Sequence, residues 1–502
     1  MWRTTGISPP VKNGKEVAMP VQSLPSNPSF ENLRKQAKSL RQAVQKNEPG
    51  ALAQVREFHP HPDEVNNKFA LRDAQLVIAR SYAFTSWAKL KQHVAAVVQY
   101  SWLLPPGDDS RPVADQFINL AALTYGGDHT SRRDKARELY VANPSIGREN
   151  IYTAATVGEV ALIQQLLRDN SSLAKTRGGP RNWEPLLYAA YSRFNSDDPK
   201  HSTLEVARLL LQHGADPNAG FLWDGNYLFT ALTGVFGEGE SGPVHQPEHP
   251  NCYEFARLLL LAGADPNDSQ TLYNRMFTGG TRHLELLFEF GLGQDVGGVW
   301  SRRLGHQGSP AEMLQQQLGW AAKYNQLARL QLLVEHGVDV NVADSRLRRT
   351  PYELAVLNGN QEIAQYLLAH GAEATALSDL DSFFAACLGA DEVRARTLLA
   401  QDPTLLSRLG AHRAELLQLA AESDKRAAIR LMAELGFDLN VVKRTTALHN
   451  AAMSGNLETV KLLIELGANP LLRDTEFNAR PLGWAEYGGK TEVAEYLRQF
   501  EE

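Results

Sequence analysis

The chain has 502 residues, of which 43% are hydrophobic and 22% charged, with a formal net charge of -6. This composition buries a core, which excludes disorder as the main state, and the mild acidity argues against general attraction to nucleic acid or anionic membrane. Two cysteines, Cys252 and Cys387, exclude a disulfide framework and suit a reducing, cytoplasmic setting, and no run of about 18 apolar residues is available to span a bilayer.

Residues 1–26 are rich in Pro, Gly and Ser without an apolar period and are predicted to be disordered, with Met19 offering a second start. Order is expected from Asn27-Pro28, a helix cap followed by a residue suited to the first helical position. Residues 27–100 then read as a helical module: Leu33, Ala37, Leu40 and Ala43 share one face, Leu71, Ala74, Val77 and Ile78 a second, and Trp87, Leu90 and Val94 a third after a cap at Thr85. Pro105-Pro106-Gly107 breaks the pattern. Residues 112–148 resume it as a helical linker or degenerate first repeat, with Phe117, Leu120, Ala121 and Leu123 inside and a charged stretch from Arg132 to Glu138 facing solvent.

From about residue 149 a unit recurs: a small-residue helix, a Gly, a second helix ending in Leu-Leu, then Gly-Ala and a polar turn. One copy runs from Thr446-Ala-Leu-His449 through Gly455 and Leu462-Leu463 to Gly467-Ala468; another runs from Thr350-Pro351 through Gly359 and Leu367-Leu368 to Gly371-Ala372. Thr350 and Thr446 are 96 residues apart and the Gly pairs at 337 and 371 are 34 apart, so the period is about 32 to 34 residues. Alanines let inner helices approach closely, paired leucines fill the outer layer, and Gly ends each outer helix in a left-handed conformation. One such unit cannot offset the entropy of its own ordering, so neighbours must share faces.

In these motifs residues 149–502 resemble the ankyrin-repeat family. The resemblance implies an all-α solenoid of about ten helix-turn-helix units behind the N-terminal helical module. Asp73–Arg80 followed by Phe84–Leu90 is also similar to a helical segment that precedes repeats in some bacterial ankyrin proteins, which implies a bacterial origin and no activity. Family members mostly bind proteins through turn tips and inner helices, and the resemblance implies that surface here. The Gly pairs at 214 and 263 are 49 residues apart and those at 291 and 337 are 46 apart, which places insertions at 234–250 and 293–310. Units near 271, 381 and 411 lack the usual Thr-Pro-Leu-His opening.

His449 occupies the opening-motif position whose ring the family uses to bond neighbouring turns, a structural role. The 234–250 insertion and its edge gather Glu238, Glu240, His245, Glu248, His249 and Cys252, but its prolines favour an irregular recognition loop over a metal or acid–base site. Aromatics collect where tips are expected. Trp183, Tyr188, Tyr191, Trp223, Tyr227, Phe229 and Tyr273, with Asn274 and Arg275 for orienting hydrogen bonds and Trp300 at one end, form the predicted binding groove, because Trp and Tyr offer large rigid contact area with a polar handle. Arg346, Arg348 and Arg349 occupy another tip. The expected function is a scaffold that binds a protein partner, without cofactor, metal or nucleic acid. The alternative is an enzyme or small-molecule binder whose pocket is closed by the 234–250 insertion over the inner helices.

Overall fold

The computed structural model describes residues 22–64, 69–102, 111–294, 297–304, 309–410 and 412–500. Most of the segment predicted to be disordered, residues 1–21, lies outside them, as do residues 295–296 and 305–308 of the second insertion. Two compact units make up the chain: residues 1–277 with 282–313, and residues 278–281 with 314–502. No described helix is long and apolar enough to cross a membrane.

The first unit opens with the helical module. α1 (Phe30–Gln45), α2 (Pro49–Phe58), α3 (Leu71–Ser81) and α4 (Trp87–Tyr100) share a core that includes Leu33, Ala37, Leu40, Val77, Ile78 and Leu90. Helices start where a side-chain oxygen can accept an otherwise open backbone N–H. Ser29 does this for Asn32, two residues after the expected Asn27, and Ser86 for Lys89, one residue after the expected Thr85.

The module ends on the repeats. β1 (Ser101–Trp102) runs parallel to β2 (Gly220–Trp223), pairing Ser101 with Leu222 and Trp102 with Trp223, and β2 turns back into β3 (Tyr227–Thr230). A three-stranded sheet thus sits at one repeat tip of an otherwise helical fold, a feature that helical periodicity does not reveal. Ala96 and Val97 of α4 pack with Leu222, Leu228, Trp300 and Leu304. Gly225 in the turn has φ +70°, and a side chain there would run into the Ser26 carbonyl.

Four helix pairs follow residue 150 in this unit: Ile151–Val157 with Val160–Asp169, Pro185–Tyr191 with Thr203–Gln212, Ala231–Phe236 with Cys252–Leu261, and Ser269–Arg275 with Arg282–Glu289. Val113–Ala121 and Thr130–Ala142 form a further pair packed beside the first. The 234–250 insertion begins within the inner helix Ala231–Phe236 and lengthens its connection to the outer helix; the second insertion carries the short helix Val299–Leu304.

Among the described residues six helix pairs follow, from Pro310–Lys323, which belongs to the second unit from Leu314 on, with Leu327–Glu335 to Pro481–Tyr487 with Thr491–Arg498. The core of the second unit joins inner-helix alanines, among them Ala420, Ala451 and Ala452, to outer-helix Ile429, Val460 and Leu463. Gly371 (φ +89°) and Gly467 (φ +100°) end outer helices left-handed, and the following alanines donate N–H to Leu367 O and Leu463 O, closing carbonyls that a helix end leaves open.

The polar turns form a second repeating bond that runs between units of the repeat. Asn218 donates to Gly263 O (2.9 Å) and accepts from Asp265 N (2.9 Å); Asn341 does the same with Gly371 O (2.9 Å) and Glu373 N (2.8 Å), and Asn440 with Gly467 O (3.0 Å) and Asn469 N (2.7 Å). Each asparagine ties its turn to the next. Asn218→Ala removes both bonds of a buried side chain and is expected to lower stability by about 1–2 kcal/mol, whereas at the exposed Asn341 the same change costs less. Urea unfolding of the two variants checks the order.

Candidate functional site

The structure divides the predicted groove residues into two sets. The inner helix Pro185–Tyr191 is buried on every side, and Trp183, Tyr188, Tyr191, Phe229 and Trp300 lie in the core with Phe221. Trp183 stacks on Phe221 (4.4 Å between ring centres), meets Tyr191 at 5.1 Å and receives Trp102 of β1 edge-on at 5.4 Å. Tyr188 donates to Gly178 O (2.7 Å), Tyr191 to Thr230 O (2.8 Å) and the Trp300 indole to Asn218 O (2.9 Å). Asn274 and Arg275 are also buried. These seven residues form the support of a surface and do not line one: Trp102 of β1 lies against Trp183, α4 packs with Trp300, and Asn274 and Arg275 lie against the insertion at Gly239 and Glu238.

Trp223, Tyr227 and Tyr273 remain at the surface, with Tyr227 37% exposed and the other two half-buried. Two of their three polar atoms are held. The Trp223 indole N–H donates to Thr124 O (3.1 Å), and the Tyr273 hydroxyl donates to Glu240 in the insertion (2.6 Å). Half-buried Tyr125 lies between them, its ring 4.7 Å from Phe229 and close to Gly239. Phe277, 5.2 Å from Tyr273 and partly exposed, extends the row.

Two buried arginines fix this surface from below, and neither stands out in the sequence as more than a lone charge in a loop. The Arg181 guanidinium lies 4.7 Å from the Trp183 ring and 5.2 Å from Trp102 and donates to Leu123 O (2.8 Å). Arg193 donates to Pro247 O (2.7 Å), Gly234 O (2.6 Å), Ser192 O (2.8 Å) and Ala190 O (3.2 Å), so one side chain clasps both ends of the insertion. Burial brings each down to about 10, and both stay charged at neutral pH. Asp128 accepts from Thr124 N (3.0 Å), Tyr125 N (2.8 Å) and Gln246 Nε2 (3.1 Å) and pairs with Arg132, which joins the 120s turn to the insertion. A carboxylate four residues after a threonine in Thr124-Tyr-Gly-Gly-Asp128 is the sequence signal for that turn.

The insertion's candidate ligands are taken up within the protein, Glu238 and Glu248 (3.3 Å) both by Arg275. His249 shares a hydrogen bond with Thr203 Oγ1 (2.9 Å) and accepts from Asn251 N (3.0 Å), and His245 stacks on His129 at 4.9 Å. Burial holds His249 well below its usual value and pushes the Cys252 thiol up to about 12, so both are neutral at physiological pH. Among the described residues no three of His, Cys, Asp and Glu converge on a point that would hold a metal ion. Two cavities border the region, one lined by Asn218, Thr230, Asp268 and Trp300 and one by Asp128, Arg132, Arg193 and His245, each with about 10 Å³ of free space, room for one water molecule. A Ser–His–carboxylate relay also occurs: Ser196 Oγ lies 2.6 Å from His201 Nδ1, whose Nε2 is 3.2 Å from Glu159. Ser196 also accepts the Asp198 N–H (3.2 Å), and Ser202 N–H bonds Gly158 O (2.8 Å), so the relay fastens the loop before Thr203 to the turn at Gly158.

The family described as ankyrin repeats in three copies matches residues 308–378, 383–474 and 417–501, and the single ankyrin repeat matches residues 181–220. The chain carries ankyrin repeats. It is similar to the mitochondrial disaggregase of Bos taurus, 32% identical over 181 residues, and to that of Homo sapiens, 32% identical over 194 residues. Each match covers 36% of this chain, and 22% and 25% of those proteins respectively; the chain spans about a quarter of the length of the curated relatives it matches.

The ankyrin opening motif behaves as expected at His449. Its Nδ1 faces Thr446 Oγ1 (2.8 Å) and its Nε2 faces Ala479 O (3.1 Å) in the next repeat, while burial lowers its pKa, so both ring nitrogens are engaged in joining turns. Ankyrin tips in the second unit supply surface residues that composition did not single out, Leu347 and Phe477. Asp344 and Asp474 each stand seven residues before the proline that opens the following inner helix, Pro351 and Pro481, and that shared spacing is the signal for both.

Proposed function

We propose that the chain is a binding scaffold whose first unit holds a protein partner against the aromatic row Trp223, Tyr227, Tyr273 and Phe277, with Glu240 beside it. Ankyrin repeats serve protein–protein interaction in general, and the observation that carries this assignment is that the row is partly exposed while the Trp223 indole and the Tyr273 hydroxyl are already fixed by Thr124 O and Glu240. A partner meeting rings that are held in place gives up little side-chain entropy on the scaffold side. Binding is favoured over catalysis because the charged groups at the insertion are taken up by one another and by backbone carbonyls, Glu238 by Arg275 and Arg193 by Gly234 O and Pro247 O. The two buried thiols, Cys252 and Cys387, suit a reducing compartment.

Affinity capture from the native source followed by titration of the recovered partner tests the reading. Trp223→Ala is expected to weaken that partner roughly tenfold, and Tyr273→Ala to a similar degree, with unfolding midpoints near the parent's. Unchanged affinity in both variants removes this surface from consideration.

A further inference from the structure

The second unit carries two projecting turns of the same construction. In Asp344–Arg349 the buried Asp344 carboxylate accepts the N–H of Arg346 (2.8 Å) and Leu347 (2.6 Å), Asp344 N–H bonds Arg349 O (2.9 Å), and Arg348 takes a left-handed φ of 53°. In Asp474–Ala479 the buried Asp474 carboxylate accepts the N–H of Glu476 (2.8 Å) and Phe477 (2.6 Å), Asp474 N–H bonds Ala479 O (2.9 Å), and Asn478 has φ 53°. The Trp484 indole N–H adds a further bond to Asp474 (3.0 Å). Each turn is therefore rigid, and each aims its fourth residue into water: Leu347 is 39% exposed and Phe477 62%.

A single exposed apolar side chain on a soluble protein needs no explanation. The same register position doing so in two stiff turns is different, because the internal bonds that hold the turns come from the backbone and from Asp344 and Asp474, and place no demand on the side chain at that position. Charge separates the two turns. In the first, the Arg346 and Arg348 guanidinium groups are exposed on either side of Leu347 and meet no carboxylate among the described residues, while Arg349 is taken up by Asp381 (3.0 Å). In the second, Glu476 pairs with Arg444. Glu415 in the helix His412–Glu422 pairs with Lys443 and with His412. The first turn thus offers an apolar centre between two uncompensated cations, and the second an apolar centre beside a neutralised pair.

We propose that the Arg346–Leu347–Arg348 turn receives a peptide segment in which an apolar side chain is flanked by aspartate or glutamate, with Leu347 supplying the apolar contact and the two arginines bidentate hydrogen bonds to carboxylates. Phe477 provides a second apolar contact without charge selection. This surface belongs to the second unit and does not depend on the aromatic row of the first.

The test uses the full chain and two short fluorescent peptides of the same length: one alternating Glu with Leu and Phe, the other with Lys in place of every Glu. Fluorescence anisotropy is expected to show binding of the acidic peptide only, weakening as salt is raised. Arg346→Glu with Arg348→Glu is expected to weaken it roughly tenfold or more, Leu347→Ala to weaken it without changing the salt dependence, and Arg168→Glu on an outer helix of the first unit to leave it unchanged. Trp223→Ala should also leave it unchanged, so failure of this assignment and failure of the aromatic row read out separately. No binding of the acidic peptide, equal binding of the Lys peptide, or an equal loss in Arg168→Glu overturns the proposal.

Discussion

Arg193→Ala is expected to lower stability by about 3–5 kcal/mol and to release the 234–250 insertion. The side chain is nearly inaccessible and donates to four carbonyls, two of which, Gly234 O and Pro247 O, stand at opposite ends of the insertion. Removing it empties a guanidinium-sized space and leaves buried carbonyls without donors, and hydrogen bonds to a charged donor contribute more than neutral ones. Lysine does not replace it, because an ammonium presents no planar fork to reach both ends. Two backbone bonds across the loop, Glu238 N–H to Gln246 O (2.7 Å) and His249 N–H to Val235 O (2.9 Å), oppose the release, so the loop loosens from the inner helices instead of unravelling. Urea unfolding gives the energy, and limited proteolysis should show new cleavage between residues 237 and 250. A variant as resistant to protease as the parent would refute the clasp.

Glu184→Gln is expected to stabilise the protein at pH 8 and to do little at pH 4.5. Glu184 precedes the buried inner helix Pro185–Tyr191, and its Oε2 is buried without a hydrogen-bond partner. Burial first, then the nearby Asp216, raises its pKa to about 7 against the opposing pull of Arg177, Arg303 and Lys175. A carboxyl whose folded pKa lies above the unfolded one favours folding while protonated, so its contribution is complete below about 4.5 and is lost as pH rises through about 7. Glutamine keeps the neutral form at every pH. Allowing for partial exposure, the gain above pH 7 is about 1–2 kcal/mol. Urea midpoints at the two pH values decide it, and an equal shift at both would show that shape and not charge is responsible.

The repeats were legible because they are local. Gly371-Ala372 and Gly467-Ala468 mark helix ends within a few residues, and Thr350 caps its helix together with Glu353 through bonds spanning three positions. Trp223 was expected at a tip and lies half-buried at the end of β2, whereas Tyr273, expected at a tip as well, lies half-buried in the inner helix Ser269–Arg275. What stayed hidden was the cover over Trp183, because the strand that meets it, Ser101–Trp102, lies more than a hundred residues from its partner β2. Pairing between distant segments leaves no period in either one. Arg181 and Arg193 were illegible for a related reason: their partners are main-chain carbonyls, and carbonyls are the same under any sequence.

Because β1 supplies a neighbour to β2, the apparent boundary between module and repeats at residue 100 is a poor place to cut the chain. A fragment that begins after Trp102 turns Gly220–Trp223 from the middle of a sheet into its edge. The backbone groups β2 offers β1 would then be open, beside a Trp102-shaped hole over Trp183 and Phe221. Open strands of that kind recruit strands from other molecules, so truncation there trades a folded tip for self-association.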